Sequence, residues 1–138
     1  MSEIVREICD LLQRWTWPDH APTMHAEIAK SLMAAGFSVE FEYSIPDIGN
    51  GRRGRIDLVA SSDQGRVGIE LDTRRPRAKS ILKLRSFDGY RIIGLRGVQW
   101  MDKVVGIDAV IGLRVRQVRA SEIADRRTVN RPIVRARA

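Results

Sequence analysis

Two neighbouring β-strand patterns, residues 56–61 (IDLVAS) and 66–72 (RVGIELD), constrain the fold more than any other stretch of the chain. Only the turn sequence SDQG separates them, so residues 55–72 are predicted to form a hairpin. An antiparallel hairpin places the start of its first strand beside the end of its second. Asp57, Glu70 and Asp72 are therefore expected to lie together at one end of a sheet.

Helical patterns precede this hairpin. Apolar residues recur at helical spacing and predict an amphipathic helix from about Ser2 to Arg14, which the prolines of TWPDHAPT interrupt. A second helix is predicted from an N-cap at Thr23 to about Ala35, with Gly36 as its terminating residue. Its buried side is expected to consist of four apolar residues: Met24, Ile28, Leu32 and Ala35.

Further patterns complete an α/β prediction. The alternation in FSVEFEY predicts a strand on which four aromatic or branched residues face one way: Phe37, Val39, Phe41 and Tyr43. A helix at RAKSILKLRSF, a strand at YRIIGLR and one or two strands within residues 104–118 follow. We expect a central mixed sheet of four to five strands flanked by helices in one domain, residues 1–118. Residues 119–138 are expected to form a basic, poorly ordered tail.

Charge is distributed unevenly along the chain. Eight arginines and two acids between Leu113 and Ala138 contribute +6 of the total net charge of +7. Such a basic end is typical of proteins that bind nucleic acid, although a solubilising or assembly tail has the same composition. The single Cys9, the mixed charges of the first fifteen residues and the absence of a long apolar stretch predict a cytoplasmic protein with no membrane partner.

Clustered carboxylates would repel one another unless a cation bridges them. Hard oxygen ligands of this kind suit Mg²⁺ or Mn²⁺, which can activate water and stabilise charge on phosphorus. Arginines flank the acids in sequence and are candidate DNA-binding residues: Arg52, Arg53, Arg55, Arg74, Arg75 and Arg77. An acidic metal centre surrounded by arginines indicates phosphodiester hydrolysis.

The pattern resembles the PD-(D/E)XK, or restriction-endonuclease-like, nuclease superfamily. Glu27 in HAEIAKSL, Asp57 in GRRGRIDLVA and Glu70 in VGIELD match its motif over roughly residues 23–96. The resemblance implies a mixed sheet flanked by helices, and metal ligation by Asp57, Glu70 and the Leu71 carbonyl. It also implies that Glu27 contributes directly or through water, and that the protein forms a homodimer.

Asp72 stands where this superfamily usually places its catalytic lysine. In one interpretation the positive charge has moved to Lys79 or Lys83 on the next helix, or to Arg74 on the same strand. In a second, Asp72 takes part in catalysis by holding another cation. In a third, the site has lost activity and only a DNA-binding scaffold remains.

The sequence favours a metal-dependent DNA endonuclease that recognises structure, such as a junction, end or flap. The alternatives are a non-catalytic DNA-binding module on the same scaffold and an adaptor whose basic tail binds an acidic protein. His20 and His25 lack a recognised ligand spacing, so no metal role is predicted for them. The tryptophans at positions 15, 17 and 100 are expected in the core or an interface rather than stacked on bases.

Overall fold

The structure is a computed structural model that describes residues 1–122. The chain forms three α-helices and six β-strands within this range, followed by a single 3-10 turn, Ala120–Glu122. In chain order the elements are α1 (Glu3–Arg14), β1 (Thr16–Pro18), α2 (Ala21–Ala34), β2 (Ser38–Ile45), β3 (Gly54–Ser62), β4 (Gly65–Thr73), α3 (Ala78–Arg85), β5 (Tyr90–Arg96) and β6 (Ala109–Arg116).

The six strands form one mixed sheet in the order β1-β6-β5-β4-β3-β2. Strand β3 runs antiparallel to both its neighbours, whereas β4, β5, β6 and β1 pair in parallel. The α/β prediction is confirmed, but the predicted count of four to five strands was wrong. The additional strand is β1, which lies in the stretch that was interpreted only as a helix break. It is an edge strand of three residues, a position where proline is tolerated because one side of the strand needs no hydrogen bond.

Helices cover the two faces of the sheet separately. Helices α1 and α2 pack on one face with Val67 and Ile69 of β4, whereas α3 packs on the other. Successive strand side chains point to opposite faces, so Gly68, Glu70 and Asp72 all face α3. The two acids therefore alternate with apolar residues because the two faces of β4 meet different helices.

The predicted helices form with one change of boundary. The Ser2 hydroxyl caps α1 by accepting a hydrogen bond from the Val5 amide at 3.3 Å. Helix α2 begins at Ala21, before the predicted N-cap at Thr23, because Pro22 fits the first turn, where its missing N–H is not needed. Ala35 is exposed rather than buried, and Gly36 ends the helix with a φ of 98° as predicted.

The alternating side chains of strand β2 do not all pack into the same core. Phe41 packs with the cluster under α1 and α2, whereas Tyr43 joins the cluster under α3 and contacts Phe87 edge to face. Between them, Glu42 has a φ of 47°, in the left-handed region. The prediction that all four alternating residues face one way was therefore wrong, because this residue interrupts the pleat.

The remaining predictions differ in outcome. The hairpin forms with Asp63 and Gln64 in its turn, β5 has the predicted bounds, and residues 104–118 contribute one strand, β6. The predicted tail is described only as far as residue 122, so residues 123–138 lie outside the described part. Within residues 1–122, no helix combines the length and apolar character needed to cross a membrane.

Candidate functional site

The candidate site begins where two strand ladders are interrupted at the same residue. Strands β2 and β3 keep one register on both sides, yet the pair Glu42 and Asp57 is missing from it. The ladder between β3 and β4 ends at Leu58 and Ile69, although both strands continue beyond these residues. Asp57 therefore lies at an opening in the sheet.

Two carboxylates replace the missing ladder bonds. Glu70 Oε2 accepts a hydrogen bond from the Asp57 amide at 2.8 Å. Asp57 Oδ2 accepts one from the Leu71 amide, also at 2.8 Å. Each acid is thus fixed by a backbone N–H of the opposite strand, and charge-assisted bonds of this kind are stronger than neutral ones. The prediction that the hairpin brings Asp57 and Glu70 together is confirmed.

Lys83 of α3 contacts one of these two acids, Glu70. Its Nζ forms an ion pair with Glu70 Oε1 and donates a hydrogen bond to the Arg55 carbonyl at 2.8 Å. The Lys83 side chain is only 13% exposed, and its stem packs where a side chain at Gly54 would otherwise lie. Lys79, one helical turn earlier, is exposed and has no ion pair within residues 1–122. Of the two candidate lysines, the structure brings Lys83 to the acids.

Asp72 has a different role from those considered in the sequence. Its Oδ2 accepts a hydrogen bond from the Arg77 amide at 2.9 Å, and its Oδ1 accepts one from the Ser80 hydroxyl at 2.8 Å. Both oxygens therefore satisfy donors at the start of α3, where backbone N–H groups lack helical partners. The side chain is 4% exposed, so these bonds also solvate a buried charge.

Burial and a neighbouring charge destabilise the ionised form of Glu70. Loss of solvent contact raises the pKa of Glu70 to about 7, and the Asp57 carboxylate adds to this rise. The hydrogen bonds from Lys83 and from the Asp57 amide act in the opposite direction.

His25, rather than Glu27, lies on the side of α2 that approaches Asp57. Burial lowers the pKa of His25, whereas the charges of Asp57 and Glu42 oppose that shift. Glu27 instead borders a hollow beside Trp15 and Trp17. His25 and Glu27 are two positions apart, which corresponds to about 200° around the helix axis. The two side chains therefore cannot face the same way.

The predicted DNA-binding arginines all lie on loops or strand ends and are exposed. Because β3 and β4 are antiparallel, the loop before β3 and the loop after β4 reach the same edge of the sheet. The predicted arginines therefore lie at the end of the hairpin that carries the carboxylates. Arg74 does not extend β4, since the strand ends at Thr73 and Arg74 has a φ of 62°.

The donor set around the acids is compatible with a hard divalent cation. Within residues 1–122, no group of three or more histidine, cysteine or acidic side chains is arranged to hold a metal. Mg²⁺ is, however, often held by one or two carboxylates together with water and phosphate oxygens. The Leu71 amide points to Asp57, and the carbonyl of the same residue lies on that side of the strand, where it would supply a third oxygen. Asp57, Glu70 and Leu71 are therefore the residues that would hold such a cation.

Comparisons of the chain with protein-family models, with curated proteins and with solved structures found no match. The function of the protein therefore has to be inferred from the arrangement of side chains at this edge of the sheet.

We predict that Asp72 stabilises α3. Asp72→Ala should lower the free energy of unfolding by about 2–4 kcal/mol, because the Arg77 amide and the Ser80 hydroxyl would be left without their acceptor. Urea denaturation checks this, with Asp10→Ala, an exposed acid on α1, as the control. Asp72→Ala combined with Ser80→Ala should cost less than the two single changes together. An unchanged urea midpoint in Asp72→Ala would contradict the capping role.

We predict that Glu70 makes stability depend on pH in the absence of metal. Because folding raises the pKa of Glu70 from 4.5 to about 7, its contribution to stability is full below pH 4.5 and is lost as pH rises through 7. Glu70→Gln should therefore resemble wild type near pH 4.5 and be roughly 2–3 kcal/mol more stable near pH 8.

Urea denaturation in EDTA at both pH values measures this difference, and Glu7→Gln on the exposed side of α1 is the matched control. A Gln variant that is less stable than wild type near pH 8 would show that the ion pair with Lys83 outweighs the burial of the charge.

Proposed function

We propose that this protein is a metal-dependent DNA endonuclease with a restriction-endonuclease-like fold. The observation that carries the proposal is a pair of carboxylates, Asp57 and Glu70, each of which binds a backbone amide of the opposite strand. Lys83 forms an ion pair with Glu70, and exposed arginines lie in the adjoining loops and strand ends. The elements from α2 to β5 support it, because they form a mixed sheet flanked by helices, which is the fold that the superfamily resemblance implies.

In this proposal Asp57, Glu70 and the Leu71 carbonyl would hold Mg²⁺ or Mn²⁺. A bound cation of this kind lowers the pKa of a coordinated water and neutralises charge on a phosphate. Lys83 holds the Glu70 carboxylate in place and presents an ammonium group to an oxygen of the attacked phosphate or of the nucleophilic water. The exposed arginines bind the flanking phosphates and position the DNA backbone.

The proposal also accounts for the aspartate at position 72, where the superfamily usually has a lysine. Asp72 fixes the first turn of α3, and Lys83 lies on that helix one turn beyond Ser80. The acid in the motif position therefore supports the element that carries the replacement cation. Recognition of a junction, an end or a flap, the cytoplasmic location and the homodimer remain predictions from the sequence.

A second candidate function is DNA binding without catalysis. It is favoured by the ion pair of Lys83 with Glu70, which neutralises one of the two acids that a metal would need. It also agrees with the lack, within residues 1–122, of a cluster of three metal-binding side chains. This candidate predicts binding that weakens steeply with salt and does not change with EDTA.

Cleavage assays distinguish the two candidates. Supercoiled plasmid, linear duplex, single-stranded circle and four-way junction are incubated with Mg²⁺, Mn²⁺ or EDTA. Wild type should cut at least one substrate only with metal, and Asp57→Asn and Lys83→Met should each reduce the rate at least about 100-fold. Lys79→Met is the matched control, because Lys79 is exposed one turn away on the same helix, and it should retain activity.

Salt-sensitive DNA binding without any cleavage by wild type would favour the non-catalytic module. Binding to an acidic protein that nonspecific duplex DNA does not displace would instead favour the adaptor. Cleavage that survives Asp57→Asn would contradict the assignment of the site to these carboxylates.

A further inference from the structure

A second surface at the same edge of the sheet has no part in the proposed metal site. The connection from β5 to β6, residues 97–108, crosses the sheet on the side of α3 and leaves a groove of about 890 Å³ along β6. Gly112 permits this close crossing, since a Cβ there would collide with the Val98 carbonyl oxygen. The groove is within the size range of small-molecule sites.

The groove combines an aromatic ring, amides and a cation. Trp100 and the 91% exposed Met101 line it together with Gln13, Gln99 and Arg114. No acidic residue is among the lining residues within the described part of the chain. A surface of this composition suits a nucleobase with its phosphate, because an indole stacks on any base and a guanidinium pairs with phosphate.

Two polar groups of this groove are the indole N–H of Trp100 and the guanidinium of Arg114. Trp100 Nε1 is buried and has no hydrogen-bond acceptor among residues 1–122. Arg114 is held at the groove by hydrogen bonds to the carbonyls of Gln13 and Arg14, at 2.7 and 2.9 Å. The groove therefore presents a fixed cation beside an aromatic side chain.

The groove lies close to the proposed cleavage site. Strand β5 alone separates β6 from β4, so two strand spacings, about 10 Å, separate the groove floor from the strand that carries Glu70. Arg96, at the end of β5, lies between them and is opposite Thr73 in the sheet register. A DNA strand leaving the carboxylates can follow this edge past Arg96.

We infer that this groove binds unpaired nucleotides of a DNA strand adjacent to the cleaved phosphate. The inference rests on the proposed function and narrows its substrate to DNA that contains a single-stranded segment, such as a flap, a gap or an open junction. Trp100 stacks on an unpaired base, and Arg114 contacts the phosphate beside it.

Binding in EDTA tests this inference without requiring cleavage. Fluorescence anisotropy compares a blunt 20-base-pair duplex with the same duplex carrying a 6-nucleotide single-stranded extension. Wild type should prefer the extended duplex by about ten-fold, in line with one or two stacked bases. Trp100→Ala should abolish this preference, and Trp100→Phe should retain most of it. Trp15→Ala is the matched control, because Trp15 is 51% exposed but does not line the groove.

A second measurement uses wild type alone, since Trp100 also packs against the core under α3. A single strand containing 5-iododeoxyuridine is photocrosslinked, and the crosslinked peptide is identified by mass spectrometry. Crosslinks to residues 98–101 support the inference. Crosslinks confined to other segments, or an equal affinity for both duplexes, overturn it.

The results distinguish the inference about the groove from the proposed nuclease activity. A Trp100-dependent preference in a protein that cuts nothing supports the groove and removes the nuclease. Metal-dependent cleavage without any preference for the extended duplex supports the nuclease and contradicts the inference about the groove.

Discussion

The site depends on one exchange of hydrogen bonds, in which Asp57 and Glu70 each bind a backbone amide of the opposite strand. Strands β3 and β4 separate at this position, and without the exchange two amides would lose their ladder partners in a buried region. The exchange satisfies those amides and fixes both carboxylates close together. The same bonds that close the sheet therefore also create a concentration of negative charge.

That arrangement has a cost in stability, and the helix on the same face offsets part of it. Glu70 is 1% exposed, and burial beside Asp57 opposes its ionisation. Lys83 supplies the compensating charge, and α3 is held in place by Asp72 through Arg77 and Ser80. Glu42 adds backbone strain next to the site, because a non-glycine residue in the left-handed region costs roughly 1–2 kcal/mol. Functional sites often combine backbone strain with a buried charge in this way.

Local sequence patterns predicted the parts of this site that depend on short-range geometry. The turn at SDQG fixed the hairpin register, and the register alone brings Asp57 next to Glu70. The position of Lys83 could only be offered as one of several alternatives, because it depends on how α3 docks on the sheet. The capping role of Asp72 was missed, since its partners Arg77 and Ser80 follow a turn whose path the sequence does not specify.

Longer-range features were harder to predict for the same reason. Strand β1 exists only because it pairs with β6, about a hundred residues later in the chain. The orientation of α2 was available from spacing, since His25 lies three and seven residues before Ile28 and Leu32, which are both buried. This spacing indicated that His25, and not Glu27, faces the sheet, whereas the superfamily resemblance implied a role for Glu27. No sequence pattern predicted the change of side-chain direction at Glu42, because a charged residue in an alternating strand normally has an extended backbone.

The proposed function rests on the claim that Asp57 and Glu70 form a cation site. Calorimetric titration with Mn²⁺ near pH 7 is the first experiment that we would use to test this claim. We expect one binding event that is absent in Asp57→Asn and in Glu70→Gln and is retained in Asp10→Asn on α1. Repeating the titration in buffers of different ionisation enthalpy should show proton release, because the pKa of Glu70 is raised to about 7 and a bound cation displaces its proton. No binding by wild type, or binding that is unchanged in Asp57→Asn, would contradict the claim.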